Sequence, residues 1–171
     1  MDFLELAKER YSVRKFSNKN IEKEKLDLIL EAGRVAPTAA NYQPQKIYVI
    51  ANEYLEKLDE CTPCNYKSPI SLLVCYDSNI SWKRAGDDEN MGIVDGSIVL
   101  THMMLEAANL GLGSVWIGHF SPDVVREKFN LPEHIVPFAI MPIGYPDENS
   151  TPLNVHNIRK DIDETVSFIG L

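Results

Sequence analysis

The segment Met91–Leu110 constrains this chain more than any other. Val94, Ile98, Thr101, Leu105 and Ala108 recur at helical spacing along one stripe, while Ile93, Val99, Leu100, Met103 and Met104 lie off it. A helix that is apolar around most of its circumference has to be covered on most sides. This one therefore belongs at the centre of a domain or of a dimer. Gly111-Leu112-Gly113 follows and supplies a left-handed stop.

Around that helix the sequence alternates between the two periodicities. Asp2–Glu9 is expected to be helical, with Phe3, Leu6 and Ala7 on one face. Lys23–Val35 is a stronger helix, with Leu26, Ile29, Leu30 and Gly33 inward and Pro37 ending it. Strands are expected at Ile47–Ala51, at Ile70–Tyr76 (apolar enough to be buried on both faces), at Ser114–Ile117 and at Val136–Ile143, the last closed by Gly144-Tyr145-Pro146. Ser121-Pro122-Asp123 opens a further helix with a capping hydroxyl, a proline in the first turn and an acid beside it. Alternating strands and helices make the class α/β or α+β, with helices packed on one sheet.

A chain of 171 residues without repeats or linker-like stretches is expected to form a single domain, 1–171. With 17 basic against 25 acidic residues the formal charge is −8, which makes a nucleic-acid partner a poor expectation, because phosphate neutralisation dominates that affinity. No signal peptide is visible, and the apolar stretches around Ile70–Tyr76 and Ile135–Ile143 fall far short of the run of about 20 residues that crosses a bilayer. The expected location is the cytoplasm, with no membrane contact. Cys61, Cys64 and Cys75 are an odd number and argue against a disulfide framework. Cys61-Thr62-Pro63-Cys64 has redox or half-zinc spacing, but no second pair follows and the surrounding residues read as a loop, so incidental thiols are the simpler reading.

The usual phosphate-loop, dinucleotide, zinc-protease and serine-hydrolase patterns are missing from the sequence, so chemistry here would be brought by an organic cofactor. Three groups can hold one. Arg10, Ser12 and Arg14 alternate, so an extended segment turns all three side chains to one side, where two guanidinium forks and a hydroxyl suit a phosphate or another polyoxygen anion. A solvated basic turn is the competing reading. Asn41 and Gln43, in Ala36-Pro37-Thr38-Ala39-Ala40-Asn41-Tyr42-Gln43-Pro44, can both donate and accept, which suits the edge of a heterocycle, though an ordinary turn would use them too. Gly113-Ser114-Val115-Trp116-Ile117-Gly118 ends in a glycine that lets backbone N–H groups approach a flat ligand.

Taken together and in this order, these segments resemble the FMN-dependent nitroreductase family. Arg10-x-Ser12-x-Arg14, Ala36-Pro37-Thr38-x-x-Asn41-x-Gln43-Pro44, Leu105-x-Ala107-x-x-x-Gly111-Leu112-Gly113-x-x-Trp116-Ile117-Gly118, Met141-Pro142-Ile143-Gly144-Tyr145-Pro146 and His156-x-x-Arg159-Lys160 are each similar to a segment of that family. Thr38 and Gln45 depart from the pattern, which has serine and an aromatic there, and the chain is shorter than many members. The resemblance implies an α+β fold: a central, mostly antiparallel sheet flanked by helices, built as an intertwined homodimer with two FMN sites at the subunit interface. It implies that Arg10, Ser12 and Arg159 hold the phosphate and that Arg14 lies against the flavin's pyrimidine edge. Pro37, Thr38, Ala39, Asn41 and Gln43 would reach the flavin partly from the partner chain, and the backbone at Ile117 and Gly118 would face N5. The expected activity is transfer of reducing equivalents from NADH or NADPH to a small flat acceptor such as a nitroaromatic, a quinone or a flavin, with no side chain acting as nucleophile and no metal. A non-enzymatic flavin-binding or regulatory protein on the same fold, and a plain α/β interaction domain, are the alternatives.

Overall fold

The computed structural model describes residues 2–170; Met1 and Leu171, the ends of the expected domain, lie outside them. Five helices and four strands occur in the order α1 (Phe3–Glu9), α2 (Lys23–Arg34), β1 (Gln45–Ala51), α3 (Tyr54–Asp59), β2 (Ile70–Asp77), α4 (Gly92–Asn109), β3 (Gly113–Ser114), α5 (Pro122–Phe129) and β4 (Ile135–Gly144). The strands form one antiparallel sheet in the order β1-β2-β4-β3, as the α+β reading requires.

The sheet is covered on both faces, and β2 shows why. Its side chains alternate, so Leu72 and Val74 enter one core with Ile29, Val99, Met103 and Met141, while Leu73 and Cys75 enter a second core with Leu58, Val125 and Ile140. Helices α2 and α4 lie over the first face; α3 and α5 lie over the second. The expectation that Ile70–Tyr76 is buried on both sides therefore holds. In α2, Ile29 and Gly33 are buried as the spacing predicts. A Cβ on Gly33 would stand 2.9 Å from Met103 Cγ and Sδ, so this glycine sets how closely α2 and α4 cross.

The predicted stripe on α4 is real but faces outward. The buried side is Gly92, Asp95, Gly96, Val99, Leu100, Met103 and Ala107. Ile93 and Val94 are 49% and 44% exposed, and with Ile98, Thr101 and His102 they line an open apolar groove of about 530 Å³.

Three local readings need correction. The strand expected at Ser114–Ile117 is only Gly113–Ser114, and Ile117 returns to the sheet as a single bridge to Ile140. The cause is Pro142: Val115 N–H donates to its carbonyl at 3.3 Å, but a proline has no N–H to return, so the ladder lapses until Ile117 and Ile140 exchange both bonds. The short helix α3 was not expected, because Tyr54–Asp59 is too brief to show a period. Phe3, expected inward on α1, is 63% exposed, and α1 buries no residue at all.

Punctuation was read more faithfully. Ser121 caps α5 by accepting from Val124 N–H at 3.4 Å, with Pro122 in the first turn. Gly111 takes φ +76° after α4. Among the described residues no helix is long and apolar enough to cross a membrane.

Candidate functional site

The Arg10–Arg14 segment runs beside β3. Ser12 bridges Ser114 in parallel, Val13 N–H donates to Ser114 O at 3.0 Å, and the buried Val13 side chain presses so closely on Gly113 that a Cβ there would meet it at 2.4 Å. With Val13 turned inward, Ser12 and Arg14 line a shared cleft, whereas Arg10, at the C-terminal cap of α1, lines a different one together with Val13, so the expected single face holds for Ser12 and Arg14 and not for Arg10. The chain after β4 folds back over them. Tyr11 OH donates to Ser150 O at 3.1 Å, the Tyr11 and His156 rings meet edge to face at 6.3 Å, and His156 Nε2 lies 3.1 Å from Lys8 O.

This fold-back brings Arg159 into the field of Arg10. Burial, first, and the neighbouring Arg159 guanidinium, second, push the Arg10 pKa below its ordinary value. Among the described residues neither these two nor Arg14 forms an ion pair with a carboxylate. Two like charges brought together without an ion-paired carboxylate, in a chain of net charge −8, can receive an anion supplied from outside. Arg10 lines a cleft of about 220 Å³ with Val13, Gly111 and Leu112, and a separate cleft of about 270 Å³ is bordered by Ser12, Arg14, Lys15, Asn149, Ser150 and Thr151. Arg14 Nη1 donates to Ser12 O at 3.1 Å, and its charge reaches the Tyr66 hydroxyl, whose pKa is raised first by burial. Spacing alone gives no hint of Tyr66, which lies 52 residues after Arg14 in the sequence.

The second group is held in an unusual backbone conformation. A short 3₁₀ turn covers Ala39–Asn41, and Ala40, Asn41 and Gln43 have φ of 49°, 56° and 50°. Asparagine tolerates the left-handed region; alanine and glutamine occupy it at a cost. Gln43 N–H donates to Thr38 Oγ1 at 3.0 Å and Ala39 N–H donates to Asp95 Oδ1 at 2.8 Å, so both bonds pin the turn. Asp95, one of two acids in the largely apolar α4 and the buried one, gives no signal in the spacing of the sequence. The departure at Gln45 also has a structural trace: its Oε1 is buried without a partner.

The third group is only half available. Ile117 exchanges both backbone hydrogen bonds with Ile140, so its amide is engaged. Gly118 is exposed, a Cβ there would meet nothing within 4 Å, and among the described residues its N–H finds no backbone acceptor.

One chain keeps these groups apart. Asp95 and the turn it holds sit at the start of α4, whereas Arg10 lines a cleft with Gly111 and Leu112 beyond its end. At 18 residues, α4 spans roughly 27 Å between those ends.

The cysteines are all free. Cys61 is buried, its Sγ lies 3.3 Å from Lys57 O, and burial raises its pKa, which opposes the thiolate that redox or metal chemistry needs. Among the described residues no cluster of three or more metal-ligating side chains occurs.

Comparison with known proteins converges on one family. The sequence pattern of the nitroreductase family matches residues 7–68 and 66–145. A protein of Methanothermobacter thermautotrophicus, provisionally named an NADH dehydrogenase/NAD(P)H nitroreductase, is 36% identical over 87% of this chain and 80% of its own. The crystal structure of a nitroreductase family protein from Clostridium difficile 630 superposes over the whole of both chains with a TM-score of 0.93 and 40% identity. An FMN-dependent nitroreductase from Clostridium difficile R20291 superposes over 98% of this chain and 99% of its own with a TM-score of 0.79 and 26% identity. The motifs around Arg10, Asn41 and Gly118 thus stand in a fold that these proteins share along nearly its whole length, and the chain belongs to the nitroreductase family.

Proposed function

We propose that this chain is an FMN-dependent oxidoreductase that passes reducing equivalents from NADH or NADPH to a small flat acceptor such as a nitroaromatic, a quinone or a flavin. The observation that carries the reading is the approach of Arg10 and Arg159, neither ion-paired with a carboxylate among the described residues. Arg10 and Arg159, with the Ser12 hydroxyl, would hold the flavin's terminal phosphate through charge-assisted hydrogen bonds. Arg14 would lie at the pyrimidine edge, where its charge favours negative charge on the ring. Gly118, with an open face and a free N–H, would approach the ring near N5. Held by these residues, FMN would supply two-electron chemistry between a nicotinamide and the acceptor. The protein's part is to bind, orient and tune.

The site is completed by a second copy. The turn at Pro37, Thr38, Ala39, Asn41 and Gln43 is carried at the start of α4 and the arginine cleft at its end. Two α4 helices packed antiparallel about a two-fold axis, along the groove of Ile93, Val94 and Ile98, bring the turn of one chain to the cleft of the other. The exposed Val155, Ile158, Ile162, Phe168 and Ile169 near the end of the chain would wrap the partner, giving an intertwined homodimer. The three free thiols suit a reducing cytoplasm.

The test is the visible spectrum of the purified protein. We expect a flavin absorbance that releases FMN rather than FAD on denaturation, because phosphate contacts closed around a terminal phosphate leave no room for an adenylate. Anaerobic NADH or NADPH should bleach it. Extraction of FAD, or a colourless protein that takes up no added FMN, would overturn the reading. A bound flavin that neither nicotinamide reduces would instead identify a flavin-binding protein without turnover.

A further inference from the structure

We propose that Asp95 is a positioning residue that holds the Thr38–Gln43 turn in its left-handed conformation, and thereby sets where Asn41 and Gln43 stand. The proposal rests on the reading of that turn as part of the flavin site.

Asp95 is 2% exposed in the first turn of α4. Its Oδ1 accepts the Ala39 N–H at 2.8 Å, and its Oδ2 is buried with no donor among the described residues. Burying a carboxyl with one oxygen unmatched carries a desolvation cost that an alanine in the same helical position would not. Among the described residues the bond from Ala39 N–H is the one hydrogen bond to the buried carboxyl. Its mounting is rigid. Gly92 and Gly96, on either side of Asp95, let α4 approach Tyr76 and Phe138 so closely that a Cβ would stand 2.2 Å from Tyr76 Cδ2 and 2.5 Å from Phe138 Cε1. The carboxyl is thus fixed to the sheet through the helix.

What it holds needs holding. Ala40 and Gln43 occupy positive φ, which side chains other than glycine and asparagine adopt at a cost, and the turn has no regular secondary structure beyond one 3₁₀ turn. Within the turn, Asn41 N–H donates to Thr38 O and Tyr42 N–H to Ala39 O, both at 3.0 Å, and Gln43 N–H donates to Thr38 Oγ1; among the described residues the Ala39 N–H to Asp95 bond is the side-chain tie that anchors the turn to α4. Losing that tie frees the turn to relax to negative φ, which moves the side chains of Asn41 and Gln43 without removing either.

A second role for an acid in the first turn is to complement the helix dipole. The two roles separate on substitution. Asp95→Asn loses the charge but keeps an oxygen acceptor for Ala39; Asp95→Ala loses both.

The experiment compares the native protein, D95N, D95A and the double variant D95A/A40G by amide hydrogen exchange at residues 39–43 and by FMN titration. D95A should raise exchange of the Ala39 amide at least tenfold and weaken FMN at least tenfold. D95N should stay within threefold of native in both. Ala40→Gly, which removes the penalty at φ 49°, should recover at least threefold of the affinity lost in D95A. If alanine destabilises the fold, D95L, which fills the site with apolar atoms, is measured instead with the same expectation. D95A or D95L matching native in both measurements overturns the proposal, and so does D95N failing as badly as D95A. If the native protein takes up no FMN, the functional reading falls while the exchange measurement still decides the clamp.

Discussion

Placing a carboxylate on the outward face of α4, by Ile98→Glu, should break the dimer and release the flavin together. Ile98 borders the apolar groove with Ile93 and Val94 and is largely buried in the single chain. Full burial of such a side chain contributes about 1.5–3 kcal/mol, so the third or less still open forfeits roughly 0.5–1 kcal/mol per chain when it is replaced. A two-fold axis doubles that to about 1–2 kcal/mol. Forcing a carboxylate from each chain into the same groove adds a desolvation cost on the order of 1–3 kcal/mol per chain even if water partly follows it in. The sum is at least about 3 kcal/mol, or more than a hundredfold in the dimer dissociation constant. Sedimentation velocity over a dilution series reads that shift directly, and flavin fluorescence on the same samples reports release. Because Ile98 also touches the chain's own core, Thr101→Glu, at an exposed position on the same face, serves as a companion whose cost within one chain is small. A monomer that still binds FMN with native affinity, or a variant that dimerises as tightly as the native protein, would refute the shared site.

Three further outcomes are expected. Arg14→Ala should lower the flavin's reduction potential more than it weakens binding, and Arg10→Ala should do the reverse; redox titration beside FMN titration separates them, and equal effects on potential would count against the assigned roles. Burial pushes the Cys75 thiol from an ordinary value of 9.0 up to about 12, so the unfolded chain loses this proton first. Stability should therefore be intact below pH 9 and fall as pH rises toward 12, by up to about 4 kcal/mol, and Cys75→Ala should flatten that slope in urea titrations across the range. Gly33→Ala should lower stability by about 1–3 kcal/mol through overpacking against Met103, seen as a reduced Tm; an unchanged Tm would mean that α2 and α4 separate freely.

The sequence was most legible where one residue type has one physical use. The Ser121-Pro122 start, the Gly111 stop and the two-sided burial of β2 follow from capping, positive φ and apolar runs, all of which are local. The shared side of Ser12 and Arg14 was equally local, since only Val13 between them has to turn inward; Arg10, at the end of α1, lines a different cleft. The end of β3 was not legible, because it depends on Pro142, which lies in a different strand and cannot return a hydrogen bond. Tyr66 beside Arg14 and Asp95 beside Ala39 were hidden for the same reason.

By itself, then, the sequence determined which residues could serve: a basic, alternating segment, a small polar turn and a glycine after a strand, set around a helix too apolar to stand alone. Tertiary structure decided how they are distributed. The fold-back of the chain after β4 places Arg159 in the field of Arg10, and α4 sets the turn and the arginine cleft at its opposite ends. Spacing along a chain encodes the face on which a side chain lies, because helices and strands have fixed periods. It does not encode which faces meet. That is settled only when the buried side of α4 packs on the sheet and leaves Ile93, Val94 and Ile98 open along the groove.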